Sequence, residues 1–219
     1  MFIGHYALAF GAKKVAPSVS LGTMFLACQL ADLLWPTLLM LGVETVEIDP
    51  GNTLMTPLNF VSYPYSHSLL MLAAWAALFA LAYRVIRGLN RTAMFVVAAL
   101  VLSHYVLDLI THRPDLPVTI SGTYKVGLGL WNYPGIALAL EVGLFLIGTT
   151  LYLSVTRARD AIGRIGFWAL IVVLAATYFA ALYGPPPPSP ATIAAAGQML
   201  WLFVLWAYWV DRHRRVRSG

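Results

Sequence analysis

Six apolar runs, at 19–40, 68–86, 93–110, 135–153, 165–182 and 193–210, punctuate the chain. Each is close to the roughly 20 residues that a helix rising about 1.5 Å per residue needs to cross a hydrocarbon core. They predict an all-α fold, a polytopic membrane helical bundle of about six transmembrane helices. Residues 1–12 are also apolar but too short to span. They predict a short N-terminal helix, either re-entrant into the bundle or interfacial on the membrane surface. Lys13 and Lys14 precede a long apolar stretch rather than a short cleavable one, so the first span is expected to be retained. Nothing in the pattern isolates a soluble domain. The expectation is one integral membrane domain over 1–219, with a site-bearing part over 1–145 and C-terminal helices over 163–211.

The polar positions between the runs carry the topology. Arg84, Arg87 and Arg91 share one short loop, Arg157, Arg159 and Arg164 another, and Arg212, Arg214, Arg215 and Arg217 the tail. With Lys13 and Lys14 they alternate with acidic, mixed or neutral loops, which predicts cytoplasmic N- and C-termini. The outward loops are then 42–65, with Glu44, Glu47 and Asp49; 112–134, with Arg113, Asp115 and Lys125; and a stiff turn at the four prolines of 185–188. Trp35, Tyr63, Tyr65, Trp131 and Tyr133 fall near span ends and are expected to form an interfacial belt without chemistry. His213 lies among tail arginines, where contact with anionic lipid is expected.

Composition agrees: 60% of the 219 residues are hydrophobic and 11% charged, and the mean hydropathy is +0.76. The net charge of +5 comes from short interhelical clusters rather than a basic face, which argues against a nucleic-acid partner. The single cysteine, Cys28, excludes an intrachain disulfide.

Against this background Asp32, Asp108 and Glu141 stand out, because they fall in spanning segments with no lysine or arginine beside them. Isolated charge at membrane depth is costly and marks function, and carboxylates with histidines form the ligand set of zinc and similar divalent metals. His104, Asp108 and His112 are spaced four apart and would share one helix face. Counted from the cytoplasmic loops at 1.5 Å per residue, Asp32, His104 and Asp108 lie roughly 20, 18 and 24 Å up. Glu141 lies about 10 Å below the outer surface. His67 opens the second span from outside. A re-entrant N-terminal helix would bring His5 to mid-membrane, whereas an interfacial one would leave it in headgroups or water. Competing roles are a protonated, hydrogen-bonded Glu141 in a helix interface, and an Asp32 that satisfies backbone freed near Pro36. Arg113 and Lys125 would bind a phosphate or carboxylate, or else snorkel to headgroups.

Gly4-His5-Tyr6, Ala31-Asp32-Leu33 followed by Pro36, Ser66-His67-Ser68, and Ser103-His104-Tyr105-Val106-Leu107-Asp108 occur in that order. Together they resemble the YdjM-like family of bacterial inner-membrane proteins described as membrane-bound metal-dependent hydrolases, over roughly the first 115 residues. That family is similar in ligand pattern to zinc-dependent phospholipase C, an all-helical enzyme of phosphate-ester hydrolysis. The resemblance implies metal ligation by His5, Asp32, His67, His104 and Asp108, with Asp108 able to bridge two ions. By looser analogy it adds His112 and Glu141, and it implies a location in the inner membrane. The chain lacks a second aspartate near Asp32, and Ala137 stands four residues before Glu141 where the pattern has a histidine, so the number of ions is left open.

The expected function is a membrane-embedded metal-dependent hydrolase acting in the outer half of the bilayer on a phosphate ester or other ester of an amphiphilic, lipid-like substrate. Metal lowers the pKa of bound water toward about 7. Asp32 or Glu141 would act as base, and Arg113 would hold the anionic group. The rivals are a proton- or cation-coupled transporter or channel, and a non-catalytic membrane protein with a structural metal.

Overall fold

Each of the six apolar runs is helical in the computed structural model, which describes residues 1–217. The chain begins with α1 (Ile3–Ala12), α2 (Leu21–Cys28) and α3 (Leu30–Met40). A hairpin of β1 (Thr45–Ile48) and β2 (Leu58–Ser62) leads through the short α4 (Pro64–His67) to α5 (Leu69–Arg87) and α6 (Arg91–Thr111). A small pair, β3 (Leu116–Pro117) and β4 (Lys125–Val126), precedes α7 (Pro134–Val155). Then follow β5 (Thr156–Ala158), α8 (Ala161–Tyr183), α9 (Pro190–Gln198), α10 (Leu200–Arg212) and β6 (Arg214–Val216). Among the described residues five helical segments are long and apolar enough to cross a membrane, or six if the bent pair α2 and α3 is one span. Side-chain caps begin five helices: Ser20 on α2, Ser68 on α5, Asn90 on α6, Asp160 on α8 and Ser189 on α9. Each accepts a backbone N–H that the helix itself cannot satisfy.

Two features differ from the pattern read along the chain, and a third decides between the two placements expected for the N-terminal helix. First, the run at 19–40 is not one rod: α2 and α3 meet at Gln29 at 55°. That bend puts Asp32 in the first turn of α3, where the helix dipole favours an anion. Second, the loop at 42–65 contains the antiparallel β1–β2 hairpin, with Thr45 opposite Ser62 and Ile48 opposite Leu58. The connection at 49–57 opens with the turn-forming residues Asp49, Pro50, Gly51 and Asn52. Third, α1 is inserted, lying against α7, α2 and α6 with Ile3, His5, Tyr6, Ala9 and Phe10 buried. Its close approach to α7 depends on Gly148, where a β-carbon would collide with the Ala7 carbonyl.

The bundle thus has a hairpin end, carrying β1–β4, and an arginine-rich end. At the arginine-rich end Lys13 is buried, and its Nζ donates to the Val19 carbonyl at 2.8 Å and to Asp211 at 3.0 Å. Arg214 lies buried over the rings of Tyr152 and Phe167 and donates to the Gly163 carbonyl. His213 turns its Nδ1 to Asp160 Oδ2 at 2.7 Å. These residues, which the charge pattern reads only as topology or lipid contacts, thus tie the end of α1 to α10 and the tail to the start of α8.

Candidate metal centre

Four elements converge at the hairpin end: α1 contributes His5, α3 Asp32, α4 His67, and α6 His104 with Asp108. Their side-chain atoms form two overlapping groups with the spacing of metal ligands, His5 with His104 and Asp108, and Asp32 with His67 and His104. His104 Nε2 lies 3.1 Å from Asp108 Oδ2 and 3.7 Å from Asp32 Oδ1. His67 Nε2 lies 3.4 Å from Asp32 Oδ1 and 3.9 Å from Asp108 Oδ2. His5 approaches the other oxygen, Asp108 Oδ1, at 3.2 Å and stacks on the His104 ring at 3.8 Å between centroids. Ligand bonds of about 2.0–2.1 Å in a tetrahedral zinc shell separate neighbouring ligand atoms by about 3.3 Å. The observed separations bracket that value.

The imidazoles are held from outside the cluster. His104 Nδ1 is 2.8 Å from the carbonyl of Cys28, which stands at the α2–α3 bend. A carbonyl only accepts, so Nδ1 carries the proton, and in the neutral ring Nε2 presents its lone pair inward. Among the described residues that buried Nε2 has no hydrogen-bond partner. His67 Nδ1 is 2.6 Å from Ser66 Oγ, and Ser66 Oγ donates to Glu44 Oε2 at 2.6 Å. With the hydroxyl proton committed to a carboxylate, Ser66 accepts from His67 Nδ1–H, and again Nε2 faces the cluster. Glu44 is itself fixed by the backbone N–H groups of Tyr65 and Ser66 at 2.8 and 2.9 Å. Imidazoles tied back through the far nitrogen are the usual arrangement around a bound metal.

The cluster is sealed except at one point. The side chains of His5, His67, His104 and Asp108 are at most 5% exposed, whereas that of Asp32 is 21% exposed.

Other expected site residues lie elsewhere. Glu141 is in neither group: its Oε2 accepts from the backbone N–H of Phe2 at 2.8 Å and of Gly4 at 3.3 Å. It therefore caps the buried start of α1, whose orphan N–H groups have no water to bond. The histidine stripe on α6 stops at Asp108. The helix ends at Thr111, and His112 has extended backbone, so its side chain leaves the helix face. His112 Nδ1 instead meets Asp115 Oδ1 at 2.9 Å and the Tyr63 hydroxyl at 3.3 Å. Arg113 donates to Asp115 and Asn59, and with Lys125 it lines a surface crevice to which no member of the ligand groups contributes. Burial, reinforced by Asp115, pushes the Tyr63 hydroxyl up, and burial lowers the His112 imidazole against the opposing pull of Asp115. Tyr63, Trp35 and Trp131 are correspondingly not simple belt residues. Tyr63 and Trp35 are buried, and Trp131 packs on His112 at 4.3 Å between ring centroids. Tyr65 and Tyr133 are exposed.

The linear pattern omits three participants: Glu44, the Cys28 carbonyl, and the Met1 nitrogen, which lies 2.7 Å from Asp108 Oδ1. Asp108 thus has the Met1 nitrogen and His5 on one oxygen and the imidazoles of His67 and His104 on the other, so it is not without a basic partner. The Ser66-His67 pair was visible in the sequence, but its carboxylate partner lies 22 positions away. In comparisons with family models, curated proteins and solved structures the chain matches none.

Proposed function

We propose that the chain is a membrane-embedded metal-dependent hydrolase of an ester, with one divalent ion of the zinc type held among Asp32, His67, His104 and Asp108. The observation that carries this is the outward anchoring of His104 and His67, which leaves two Nε2 atoms facing two carboxylates at 3.1–3.9 Å. His104 belongs to both ligand groups, and one nitrogen serves one ion, which favours a single ion over two. His5 then flanks Asp108 from the other side. When bound, the metal supplies Lewis acidity toward the ester oxygen and makes a water more acidic.

The remaining work falls to the chain. Water adds its oxygen to the phosphorus or carbonyl carbon and loses a proton, while the departing alkoxide gains one. Asp32 is the residue suited to take the first proton, because it alone among the ligands is partly exposed. Glu141 is committed to α1, which favours Asp32 over it as base. Partial exposure of Asp32 favours catalysis over a closed structural shell. The motif resemblance to the YdjM-like family supports hydrolysis and an inner-membrane location, and the arginine clusters support cytoplasmic termini with the site toward the outer face.

The test is metal content of purified protein, wild type against His104→Ala and Asp108→Ala. Near-stoichiometric metal in the wild type and loss in both variants is expected. Equal, near-zero metal in all three would overturn the site. Chelator-sensitive cleavage of a nitrophenyl phosphodiester or carboxylic ester, lost in Asp32→Asn, then separates an enzyme from a metal-bound scaffold.

A further inference from the structure

A cavity of about 310 Å³ lies between α3 and α9 and reaches Asp32. Its walls include Trp35, Pro36, Ile193, Ala196 and Leu200, and Pro187 of the four-proline run also lines it. Asp32 is the only charged residue in that lining, and it is also the one partly exposed ligand of the centre. Beside the cavity α9 touches α3 closely, because Gly197 lacks the β-carbon that would strike the Pro36 ring. The helices that frame it belong to segments of spanning length and apolarity, and Leu202 and Leu205 of the adjoining α10 are exposed. Leu58 of β2 and Pro187 belong to segments read as outward, and the part of the opening that lies between the spanning helices faces hydrocarbon rather than water.

We propose that this cavity receives the hydrocarbon chain of a membrane lipid, so that the substrate of the hydrolase is a lipid ester taken sideways from the bilayer between α3 and α9. The inference rests on the metal-hydrolase proposal for the identity of the reacting group, but the seat for the chain is argued independently. A water-soluble ester would have to enter along apolar walls that offer its polar groups little except Asp32 and Thr192. A hydrocarbon chain buries no polar group there, and at roughly the 30 Å³ that a water occupies in the liquid, a size close to that of a methylene, the cavity of about 310 Å³ holds about ten such groups. A chain seated there leaves its ester to meet Asp32, the one charged group of the lining. The pairing of an apolar slot with one convergent polar point is the general form of a ligand site.

The experiment uses full-length protein in nanodiscs containing a phosphatidylglycerol with a diazirine midway along one acyl chain. After illumination the label is mapped by mass spectrometry and metal per chain is measured on the same sample. Labelling at Trp35 and Pro36 is expected, residues that are too buried for a lipid merely surrounding the protein to reach. Ala196→Trp, which fills the slot from an exposed helix position, should abolish that label while leaving metal per chain unchanged. Thr192→Phe provides a second block should the tryptophan variant misfold. Label confined to outward faces such as those of α5 and α8, or undiminished Trp35 labelling in a folded blocking variant, would overturn the proposal. Trp35 labelling in wild-type protein that holds no metal would support the lipid seat while overturning the hydrolase. Bound metal without Trp35 labelling would do the reverse.

Discussion

Replacing Glu44 by glutamine keeps the shape of the residue and reverses the direction of a proton relay. Glu44 Oε1 accepts from two backbone N–H groups, and Oε2 accepts from the Ser66 hydroxyl at 2.6 Å. A glutamine amide can preserve the two backbone bonds only by keeping its carbonyl there, which turns its NH₂ toward Ser66 Oγ. Ser66 must then accept from the amide and aim its own proton at His67 Nδ1, 2.6 Å away. His67 is driven to the tautomer protonated at Nε2, the atom 3.4 Å from Asp32 Oδ1 that the metal requires as a lone pair. Loss of an outer partner of a ligating histidine typically costs about 10–100-fold in metal affinity, or about 1.4–2.8 kcal/mol. Every one of these hydrogen bonds survives, the two backbone bonds unchanged and the other two reversed, so thermal stability of the metal-free protein should change little. Ser66→Ala cuts the relay without imposing the wrong tautomer, and should therefore weaken metal less than Glu44→Gln. The assay is a competition titration against a chromophoric zinc chelator in detergent, alongside metal-free melting curves. Affinity within about twofold of wild type in Glu44→Gln, or a greater loss in Ser66→Ala, would refute the relay.

Further outcomes follow from the same contacts. Glu141→Ala should destabilise the fold by about 1–3 kcal/mol by stranding the Phe2 and Gly4 N–H groups, and Glu141→Gln should recover most of that. Turnover abolished in a normally stable Glu141→Gln would instead make the residue a base. Gly148→Ala forces α1 away from α7 and should cost about 1–3 kcal/mol by overpacking, measured by thermal unfolding, and should weaken metal through displaced His5. At Asp160 the His213 imidazole, helped by the Gly163 N–H, holds the carboxyl below its usual range. A lowered carboxyl contributes stability above the unfolded value of about 3.9 that is lost as pH falls through the folded one. Asp160→Asn should therefore flatten the acid limb of the melting-temperature profile below about pH 4 while preserving the α8 cap, and an unchanged limb would count against the pair.

The folded centre also shows how far linear spacing carries. The pair His104 and Asp108 was legible because four residues in a helix always return a side chain to the same face. The same rule fails at His112, where Pro114 and the end of α6 release the backbone from helical geometry. Glu141 looked like a ligand by depth and is occupied by a helix N-terminus that no local pattern announces, since Phe2 and Gly4 lie 139 and 137 positions away.

What the sequence by itself determined is the set of spanning-length helices and the identity of the costly polar residues within them. Both follow from local physics: apolar length sets what can cross a membrane, and an ionisable group in such a run is rare without a purpose. Only the tertiary structure decided which of those residues meet. It inserted α1 rather than leaving it outside, bent the first span at Gln29, and brought Glu44 behind Ser66. Those outcomes depend on contacts between distant segments, each satisfying a backbone or imidazole group that has no water to turn to. A periodicity of hydrophobic residues does not encode that choice of partner.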